Sequence, residues 1–303
     1  MPNQRVDAGA RLDRLPVSAF HRRIAWLVGI GMFFDGFDAY VMAGVLGATL
    51  SSGFSTLKQN GQFVSFTFLG MMIGAFAAGF LGDRYGRRFS YQANLALSGL
   101  ASVAAAFAPT MMWLIVLRFV MGVGLGAEVV AGYSTITEFV PPQARGRWVG
   151  WMSVFVVASL PASAFLGRLI IPLWGWRPLF LVAGVGALVV WYLRKALPES
   201  PRWLQSVGRE TEADAVLRKI EEEVSLRSGP LPEPQAGAAE KPSSDTASLF
   251  RAPMLRRMIV GAVTLVVINT IYKYPENTLF GLAILALGLP VYGFWARRKQ
   301  GLE

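Results

Sequence analysis

The sequence predicts an all-α integral membrane protein, with a complete N-terminal six-helix transmembrane bundle and about two further transmembrane helices. Three observations support this prediction. Hydrophobic residues make up 53% of the 303 residues, and charged residues make up only 16%, whereas soluble domains carry about 25%. The mean hydropathy is +0.44. Long apolar runs recur along the chain, so it cannot cover itself with polar surface, which excludes a soluble globule and a disordered protein.

The residue types that are rare or missing exclude several kinds of site. The chain has no cysteine, which excludes a disulfide scaffold, a thiolate zinc site and a cysteine nucleophile. Its single histidine, His21, excludes a histidine metal cluster and a serine–histidine–acid triad. We therefore expect no metal, no cofactor and no enzymatic activity.

Eight apolar runs match the roughly 20 residues that a helix needs to cross about 30 Å of hydrocarbon. Strands of a membrane barrel would be half as long and would alternate polar with apolar residues. Six runs precede a long polar segment and two follow it. The predicted spans are residues 24–50, 63–82, 89–108, 111–137, 148–172, 178–197, 256–273 and 278–296.

The polar segment between the sixth and seventh spans has two parts. Apolar residues at spacings of four, three and four predict one amphipathic helix through Ala213, Leu217, Ile220 and Val224. The Gly- and Pro-rich residues 228–237 predict a flexible linker. The predicted domains are an arm (1–23), a six-helix bundle (24–197), a loop with helix and linker (198–255), and a truncated membrane part with two helices and a basic tail (256–303).

The basic residues predict the orientation of the protein in the membrane. The net charge is +10, and most Lys and Arg residues lie in the N-terminal arm, in alternate loops, in the long segment and at the C-terminal end. Because basic residues concentrate in cytoplasmic loops, both termini and the long segment are predicted to be cytoplasmic. This distribution favours a protein of the bacterial-type inner membrane, in contact with lipid, over a nucleic-acid-binding protein.

Three motifs stand at the ends of the predicted spans. Residues 79–88 read Gly-Phe-Leu-Gly-Asp-Arg-Tyr-Gly-Arg-Arg and resemble the signature loop between helices two and three of the major facilitator superfamily. Residues 138–147 look like its loop after helix four, and residues 198–204 are similar to the end of helix six in its sugar porters and metabolite/proton symporters. The resemblance covers about residues 20–205. Because the superfamily has twelve helices, the chain looks truncated or fused after helix seven.

The charged residues of these motifs are candidates for a gating network. Carboxylates and guanidiniums at helix ends can form charge-assisted pairs between helices, and breaking such pairs lets one end of a bundle open. The alternative is that some of them are solvated loop charges, whose exposed pairs contribute only about 0–1 kcal/mol each. The candidates are Asp83, Arg84, Arg87, Arg88, Glu138, Arg145, Glu199 and Arg202.

Four ionisable residues inside the predicted spans are candidates for substrate or proton binding. They are Asp35 and Asp38 in helix one and Arg118 and Glu128 in helix four. A charge at the bilayer centre costs at least about 2.5 kcal/mol, so it indicates function by default. Asp35 and Asp38 are three residues apart and share one helical face. Residues 33–38 resemble the helix-one motif of aromatic acid/proton symporters.

The depths of two of these residues allow them to pair. At 1.5 Å per residue, Asp38 lies about 21 Å from the inner end of helix one, and Arg118 lies about 10 Å from the outer end of helix four. In a core of about 30 Å these are the same depth. An Asp38–Arg118 pair could exchange its partner for a proton or a substrate carboxylate, or it could be a static pair that only fixes packing.

Helix four carries two further features. Glu128 lies about 80° around the helix from Arg118 and is either a second proton site or a partner of the cytoplasmic arginines. The glycine-rich residues 122–127 match a dinucleotide fingerprint in form, but they lie in the middle of a helix. Close helix packing through small residues is the better interpretation.

The resemblance implies a secondary transporter, and we expect proton-coupled symport of a small organic, possibly aromatic, acid. Arg118 would bind the carboxylate, and Asp35 and Asp38 would carry the protons. The alternatives are a sugar or polyol porter and a non-transporting truncated fragment. Alternating access needs a second helix bundle opposite the first. Because only two spans are predicted there, the helix faces that bear Asp35, Asp38 and Arg118 would be uncovered. We therefore expect self-association or a partner chain that supplies the missing helices.

Overall fold

The computed structural model describes residues 7–234 together with Arg256 and Val260. The chain divides into two units, Met1–Glu240 and Lys241–Glu303. The helices below belong to the first unit, and Arg256 and Val260, both in helical conformation, belong to the second. Apart from these two residues, the spans predicted at 256–273 and 278–296 lie outside the described residues, as does the predicted linker beyond residue 234.

Six long helices form a bundle, and three further helices lie before and after it. The helices of the bundle are α2 (Ala19–Ser51), α3 (Leu57–Tyr85), α4 (Arg87–Ala106), α5 (Met111–Phe139), α6 (Pro142–Trp174) and α7 (Arg177–Leu193). The further helices are α1 (Ala8–Asp13), α8 (Pro201–Ser206) and α9 (Glu210–Ser228), and a 3-10 turn at Arg194–Ala196 extends α7. Each of the first six predicted spans lies on one long helix to within two residues, with the 3-10 turn counted as part of α7.

Local sequence explains where several helices begin and end. The Gln59 backbone N–H donates to Thr56 Oγ1 at 3.3 Å, and the Thr56 N–H donates back to Gln59 Oε1 at 2.9 Å, which caps the start of α3. Gly86 alone separates α3 from α4, with a φ of 100° that favours glycine. Pro142 occupies the first turn of α6, where its missing N–H costs no hydrogen bond.

Five of the six long helices are long and apolar enough to cross a membrane: α2, α3, α5, α6 and, with its 3-10 turn, α7. At 20 residues α4 is long enough, but it has a polar residue at every fourth position over three turns. These side chains are buried, and α4 packs on α5 and α7, so the polar stripe faces the inside of the bundle. The stripe consists of Ser90, Asn94, Ser98 and Ser102.

The closest helix contact joins α3 to α5 through glycines. A methyl group at Gly74 would lie 2.7 Å from the carbonyl carbon of Val123, and one at Gly122 would lie 3.3 Å from the Cα atom of Gly70. A methyl group at Gly126 would meet the backbone of Met71. The predicted role of residues 122–127 in close helix packing is therefore confirmed.

Candidate functional site

The centre of the bundle holds a buried ion pair between α2 and α5. Arg118 Nη1 donates to Asp38 Oδ2 at 2.6 Å, and Arg118 Nη2 donates to the Asp38 carbonyl oxygen at 3.0 Å. Arg118 Nε donates to Thr67 Oγ1 at 3.2 Å, and the guanidinium carbon lies 5.3 Å from the centre of the Phe63 ring. Arg118 is 0% and Asp38 5% exposed. The Asp38–Arg118 pair, which the depths of the two residues in the membrane allowed, is therefore present in the structure.

The second aspartate of α2 has a different environment. Asp38 also accepts a hydrogen bond from Ser102 at 3.2 Å, so both of its oxygens have partners. Asp35 is buried too, but its Oδ2 has no hydrogen-bond partner within the described residues. Only one of the two aspartates therefore has a direct counter-ion in this part of the chain.

The prediction that Asp35, Asp38 and Arg118 lie on uncovered helix faces is wrong. All three are at most 7% exposed, because α2 and α5 pack on each other and their other faces are covered by α3, α4, α6 and α7. Self-association and a partner chain remain untested, and the uncovered charges that motivated them do not exist in the described bundle.

A second buried ion pair lies further along α5, towards the end of α7. Arg194 Nη1 donates to Glu128 Oε1, Arg194 Nε donates to the Leu27 carbonyl at 3.0 Å, and Arg194 Nη2 donates to the Val28 carbonyl at 2.8 Å. Both side chains are 1% exposed. Of the two expectations for Glu128, the structure shows pairing with one of the basic residues that were assigned to the cytoplasmic side, Arg194. It does not test the role of Glu128 as a proton site.

Sequence reasoning missed Arg194 as a site residue, because it was counted among the basic residues that flank the long polar segment. A signal was present, since Arg194 lies inside the predicted span 178–197. A charged residue inside a span indicates function by the same argument that singled out Arg118.

The candidate gating residues gather at the end of the bundle formed by α1, Gly86, residues 194–206 and α9, which we call the basic face. Arg87 Nε donates to Glu138 Oε1 at 2.7 Å, and Arg87 Nη1 lies 2.9 Å from Asp83 Oδ1. The Arg84 guanidinium lies 5.7 Å from the Tyr85 ring centre and takes part in no ion pair among the described residues. Three of the candidates thus form one cluster between α3, α4 and α5.

Glu199 joins the end of α7 to the start of α4. Its Oε1 accepts hydrogen bonds from the backbone N–H groups of Arg88 and Ser200, both at 3.0 Å. Arg88 Nη2 in turn donates to the Lys195 carbonyl at 2.8 Å. Burial raises the pKa of Glu199, even though these backbone N–H groups act against it. The carboxylate therefore caps the N-terminus of α4, where helix donors favour negative charge.

The last two candidates, Arg145 and Arg202, share a partner that sequence reasoning missed. Arg145 Nη2 donates to Asp13 Oδ1 at 3.0 Å, and Arg202 Nη2 donates to the same oxygen at 2.6 Å. Arg202 Nε also donates to the Glu138 carbonyl at 3.1 Å. Asp13 ends α1. The buried apolar residues Ala8 and Leu12 of α1, with Leu15 just after it, recur at helical spacing, a signal that could have revealed this helix.

A cluster of ion pairs fastens α1 to α9. Arg11 Nη1 donates to Asp214 at 2.6 Å, and Arg11 Nε donates to Glu221 at 2.9 Å. Arg14 Nη2 donates to Glu221 at 2.6 Å. The amphipathic helix predicted from the sequence is α9, and its apolar residues Ala213, Leu217, Ile220 and Val224 are buried. We call this arrangement of α1 on α9 the clasp.

Acidification is expected to release the clasp. Burial acts to raise the pKa of Glu221, but hydrogen bonds and charge from Arg11 and Arg14 outweigh it and hold the pKa below its usual value. Because the folded pKa is lowered, the stabilisation is complete above the unfolded value of about 4.3 and is lost as the pH falls through the folded value. The anisotropy of a fluorophore at Ala10→Cys should therefore drop on acidification.

The matched control is Glu221→Gln, which should lower the anisotropy already at neutral pH. The pKa of Asp214 is also held low, by the hydrogen bond from Arg11, so Asp214 adds to the same transition. An anisotropy that stays constant from neutral pH to about pH 3 would show that these pairs do not hold α1 in place.

The described residues contain no group of three or more His, Asp or Glu side chains that could hold a metal ion. The site they form consists of two buried ion pairs, one unpaired carboxylate and a ring of charged residues at one end of the bundle. Such a site can exchange protons and bind a charged solute, since its buried groups differ in whether they have a counter-ion.

Solved structures share this helical arrangement. The proton:xylose symporter XylE bound to a brominated glucose analogue aligns with a TM-score of 0.60 at 23% identity, over 67% of this chain and 50% of that one. The partially occluded inward-open xylose transporter XylE from Escherichia coli aligns with a TM-score of 0.59, over 69% and 59%. At this identity the likeness concerns the fold, which is that of the major facilitator superfamily.

Sequence relatives cover most of this chain. The inner membrane metabolite transport protein YdjE of Escherichia coli is 39% identical over 267 residues, which is 86% of this chain and 59% of YdjE. The niacin transporter NiaP of Acinetobacter baylyi is 33% identical, over 71% of this chain and 49% of NiaP. The 4-hydroxybenzoate transporter PcaK of Pseudomonas aeruginosa is 32% identical, over 69% and 47%.

The chain spans about half the length of these relatives. The family model described as "Sugar (and other) transporter" matches residues 24–275. This range includes α3 to α7 completely and α2 from residue 24 onwards. This match extends over more than half of the chain, and the helical fold agrees with it. The chain is an integral membrane protein of the sugar (and other) transporter family, with the fold of the major facilitator superfamily.

Proposed function

We propose that the chain serves proton-coupled secondary transport of a small organic acid across a bacterial inner membrane. The observation that carries this proposal is an imbalance of buried charge. The described bundle buries three carboxylates, Asp35, Asp38 and Glu128, but only two guanidiniums, Arg118 and Arg194. A buried carboxylate without a counter-ion is most stable when it holds a proton. Asp35 is therefore the proposed proton site, with Asp38 as the second group in the coupling.

Arg118 is the proposed binding residue for the substrate carboxylate. Its guanidinium already binds a carboxylate, that of Asp38, at 2.6 Å. An incoming acid can accept from Nη1 and Nη2 together, a bidentate geometry that the Asp38 carboxylate does not use, and can take the place of Asp38 when Asp38 holds a proton. The Phe63 ring beside the guanidinium gives an aromatic acid an apolar neighbour. The names of two relatives support this class, since niacin and 4-hydroxybenzoate are both aromatic carboxylic acids.

The basic face is the proposed cytoplasmic gate. Its ion pairs join α4 to α5 and join α1 to α6 and α8, so their breakage would free this end of the bundle. By the positive-inside rule this face and both termini lie in the cytoplasm. Arg84, which has no ion pair in the described chain, would contribute through its charge alone.

A sugar or polyol is the second candidate substrate. The family description, the fold shared with XylE and the motif at residues 198–204 favour it. Uptake of labelled nicotinate, 4-hydroxybenzoate and xylose into proteoliposomes, with and without a proton gradient, distinguishes the two classes. Gradient-driven uptake of an acid supports the proposal, and uptake of xylose alone supports the second candidate. If none of the three solutes is taken up, the remaining alternative, a non-transporting fragment, applies to this chain.

Asp35→Asn is expected to abolish gradient-driven accumulation and to leave insertion into the membrane intact. The amide is nearly the same size and cannot carry a proton cycle, so the chain loses coupling without losing packing. Asp38→Asn should have the same effect on accumulation. The measurement is labelled-acid uptake into proteoliposomes at equal protein content, and Glu222→Gln, which changes an exposed carboxylate, is the matched control. Full accumulation by both aspartate variants would refute the assignment.

A further inference from the structure

Arg194 connects the interior of the bundle to the basic face. Its backbone lies in the 3-10 turn after α7, while its guanidinium is 1% exposed and reaches Glu128 on α5 and two carbonyls of α2. A second observation supports a specific role for this side chain. A methyl group at Gly31 would lie 2.7 Å from the guanidinium carbon of Arg194, so the guanidinium fills the space that a side chain of α2 would take.

Gly31 places the Arg194 guanidinium close to Asp35. The two α2 residues are four apart, so they lie on the same face at about 6 Å along the helix axis. Glu128 Oε2 and Asp35 Oδ2 are both buried and have no hydrogen-bond partner in this part of the chain. One guanidinium thus bonds one of two incompletely bonded carboxylates and lies about one helical turn from the other.

The other elements around Asp35 add few ionisable groups. Besides Glu128, α5 contributes Arg118, which is held by Asp38 on α2 itself. Tyr91 of α4 lies with its ring centre 6.0 Å from the Arg194 guanidinium. The neighbouring part of α6 presents Ser159 at Gly36, and the buried polar residues of α6 are serines. Arg194 is therefore the basic group that can respond to a change of charge on Asp35.

The segment that carries Arg194 also holds the start of α4. The Lys195 carbonyl accepts a hydrogen bond from Arg88, and Glu199 accepts the backbone N–H of the same residue. A movement of the guanidinium therefore moves the segment that caps α4 beside Gly86. This is a continuous physical connection between a buried carboxylate and the proposed gate.

We propose that Arg194 is a positioning residue shared between Glu128 and Asp35, which transmits the protonation state of Asp35 to the basic face. When Asp35 holds its proton, Arg194 neutralises Glu128, as in this structure. When Asp35 releases the proton to water, two carboxylates compete for one guanidinium, which shifts towards Asp35 and pulls residues 194–199 with it. The inference rests on the proposed proton site at Asp35 and goes beyond it in assigning the connecting group.

The test is a pH titration of the full chain with a bimane fluorophore on Ala196→Cys, an exposed position in the same turn. The absence of native cysteine makes the label specific. We expect a pH-dependent change in bimane fluorescence that disappears in Asp35→Asn and in Arg194→Lys. Lysine keeps the charge, but one ammonium on a shorter reach cannot bond Glu128 and both α2 carbonyls together. The same label on Leu226→Cys of α9 is the control position and should give a flat titration above about pH 5, where the clasp stays closed.

A second variant covers the case in which Arg194→Lys does not fold. Glu128→Gln combined with Arg194→Gln removes both charges of the pair, so it leaves no buried charge without its partner, and it should also give a flat titration at Ala196→Cys. A titration that persists in Arg194→Lys, in the double variant or in Asp35→Asn would overturn the inference. The readout needs no substrate, so a failure of uptake with an intact titration refutes the proposed function alone. Gradient-driven uptake that is unchanged in Arg194→Lys refutes the inference alone.

Discussion

Arg118→Lys is expected to lose at least ten-fold in affinity for a carboxylate substrate while the bundle stays folded. Arg118 uses three N–H groups on three acceptors: the Asp38 carboxylate, the Asp38 carbonyl and the Thr67 hydroxyl. An ammonium keeps the ion pair with Asp38 but cannot bind a carboxylate bidentately. One charge-assisted hydrogen bond is worth about 1.5–3 kcal/mol, which is ten-fold or more. Equilibrium binding of labelled nicotinate to the purified chain measures the loss.

Arg118→Ala separates binding from folding. It leaves Asp38 buried without its counter-ion, which costs about 3–5 kcal/mol for a broken buried pair. The double variant Asp38→Asn with Arg118→Gln should recover most of this stability, because no charge is left alone, and it should still fail to bind the acid. Thermal unfolding in detergent gives the stabilities. If Arg118→Lys binds the acid as tightly as the natural chain does, Arg118 does not contact the substrate.

Gly74→Val is expected to be among the most destabilising single changes in the bundle. A Cβ atom at this position meets the backbone of Val123, which cannot move aside as a side chain would, so α3 must separate from α5. Overpacking of a core costs about 1–3 kcal/mol, and here the separation also loosens the contacts of the two helices that bury Arg118. The measurement is the midpoint of thermal unfolding in mild detergent, followed by the accessibility of the bundle interior.

Gly79→Ala is the matched control for this change. It lies on the same helix with open space where its methyl group would be, and alanine is favoured over glycine in a helix by about 1 kcal/mol. The control variant should therefore unfold at the same temperature as the natural chain or higher. Equal unfolding temperatures for Gly74→Val and the natural chain would mean that the close approach of α3 and α5 is not required for stability.

The sequence contained enough to predict the six helices and the central ion pair. Apolar length places the helices, and helical rise alone places Asp38 and Arg118 at one depth. Close helix packing at residues 122–127 followed from small residues in the middle of a span, although the partner helix, α3, did not. These features depend on positions within single helices, which is the information that a periodic sequence carries.

The partners of the other charged residues could not be predicted, since they depend on which helices are neighbours. Asp13 binds Arg145 and Arg202 from a distance of more than a hundred residues along the chain. Arg194 reaches into the bundle because Gly31 leaves room for it. The sequence around a glycine in a transmembrane helix does not indicate which side chain will occupy the space beside it. The exposure expected for Asp35, Asp38 and Arg118 failed for the same reason, because it was argued from helix number rather than from packing.

The polar stripe of α4 constrains the order in which the helices can enter the membrane. Released singly into lipid, α4 would present three hydroxyls and an amide to hydrocarbon, where unbonded polar groups are costly. The next helix in the chain, α5, packs on α4 with Gly124 against Ser98. The later helix α7 packs on α4 with Leu188 against Gly99. We expect the insertion machinery to hold α4 until α5 has been synthesised, and to release the two as a pair. Biogenesis of this bundle would then proceed by helix pairs rather than by single helices.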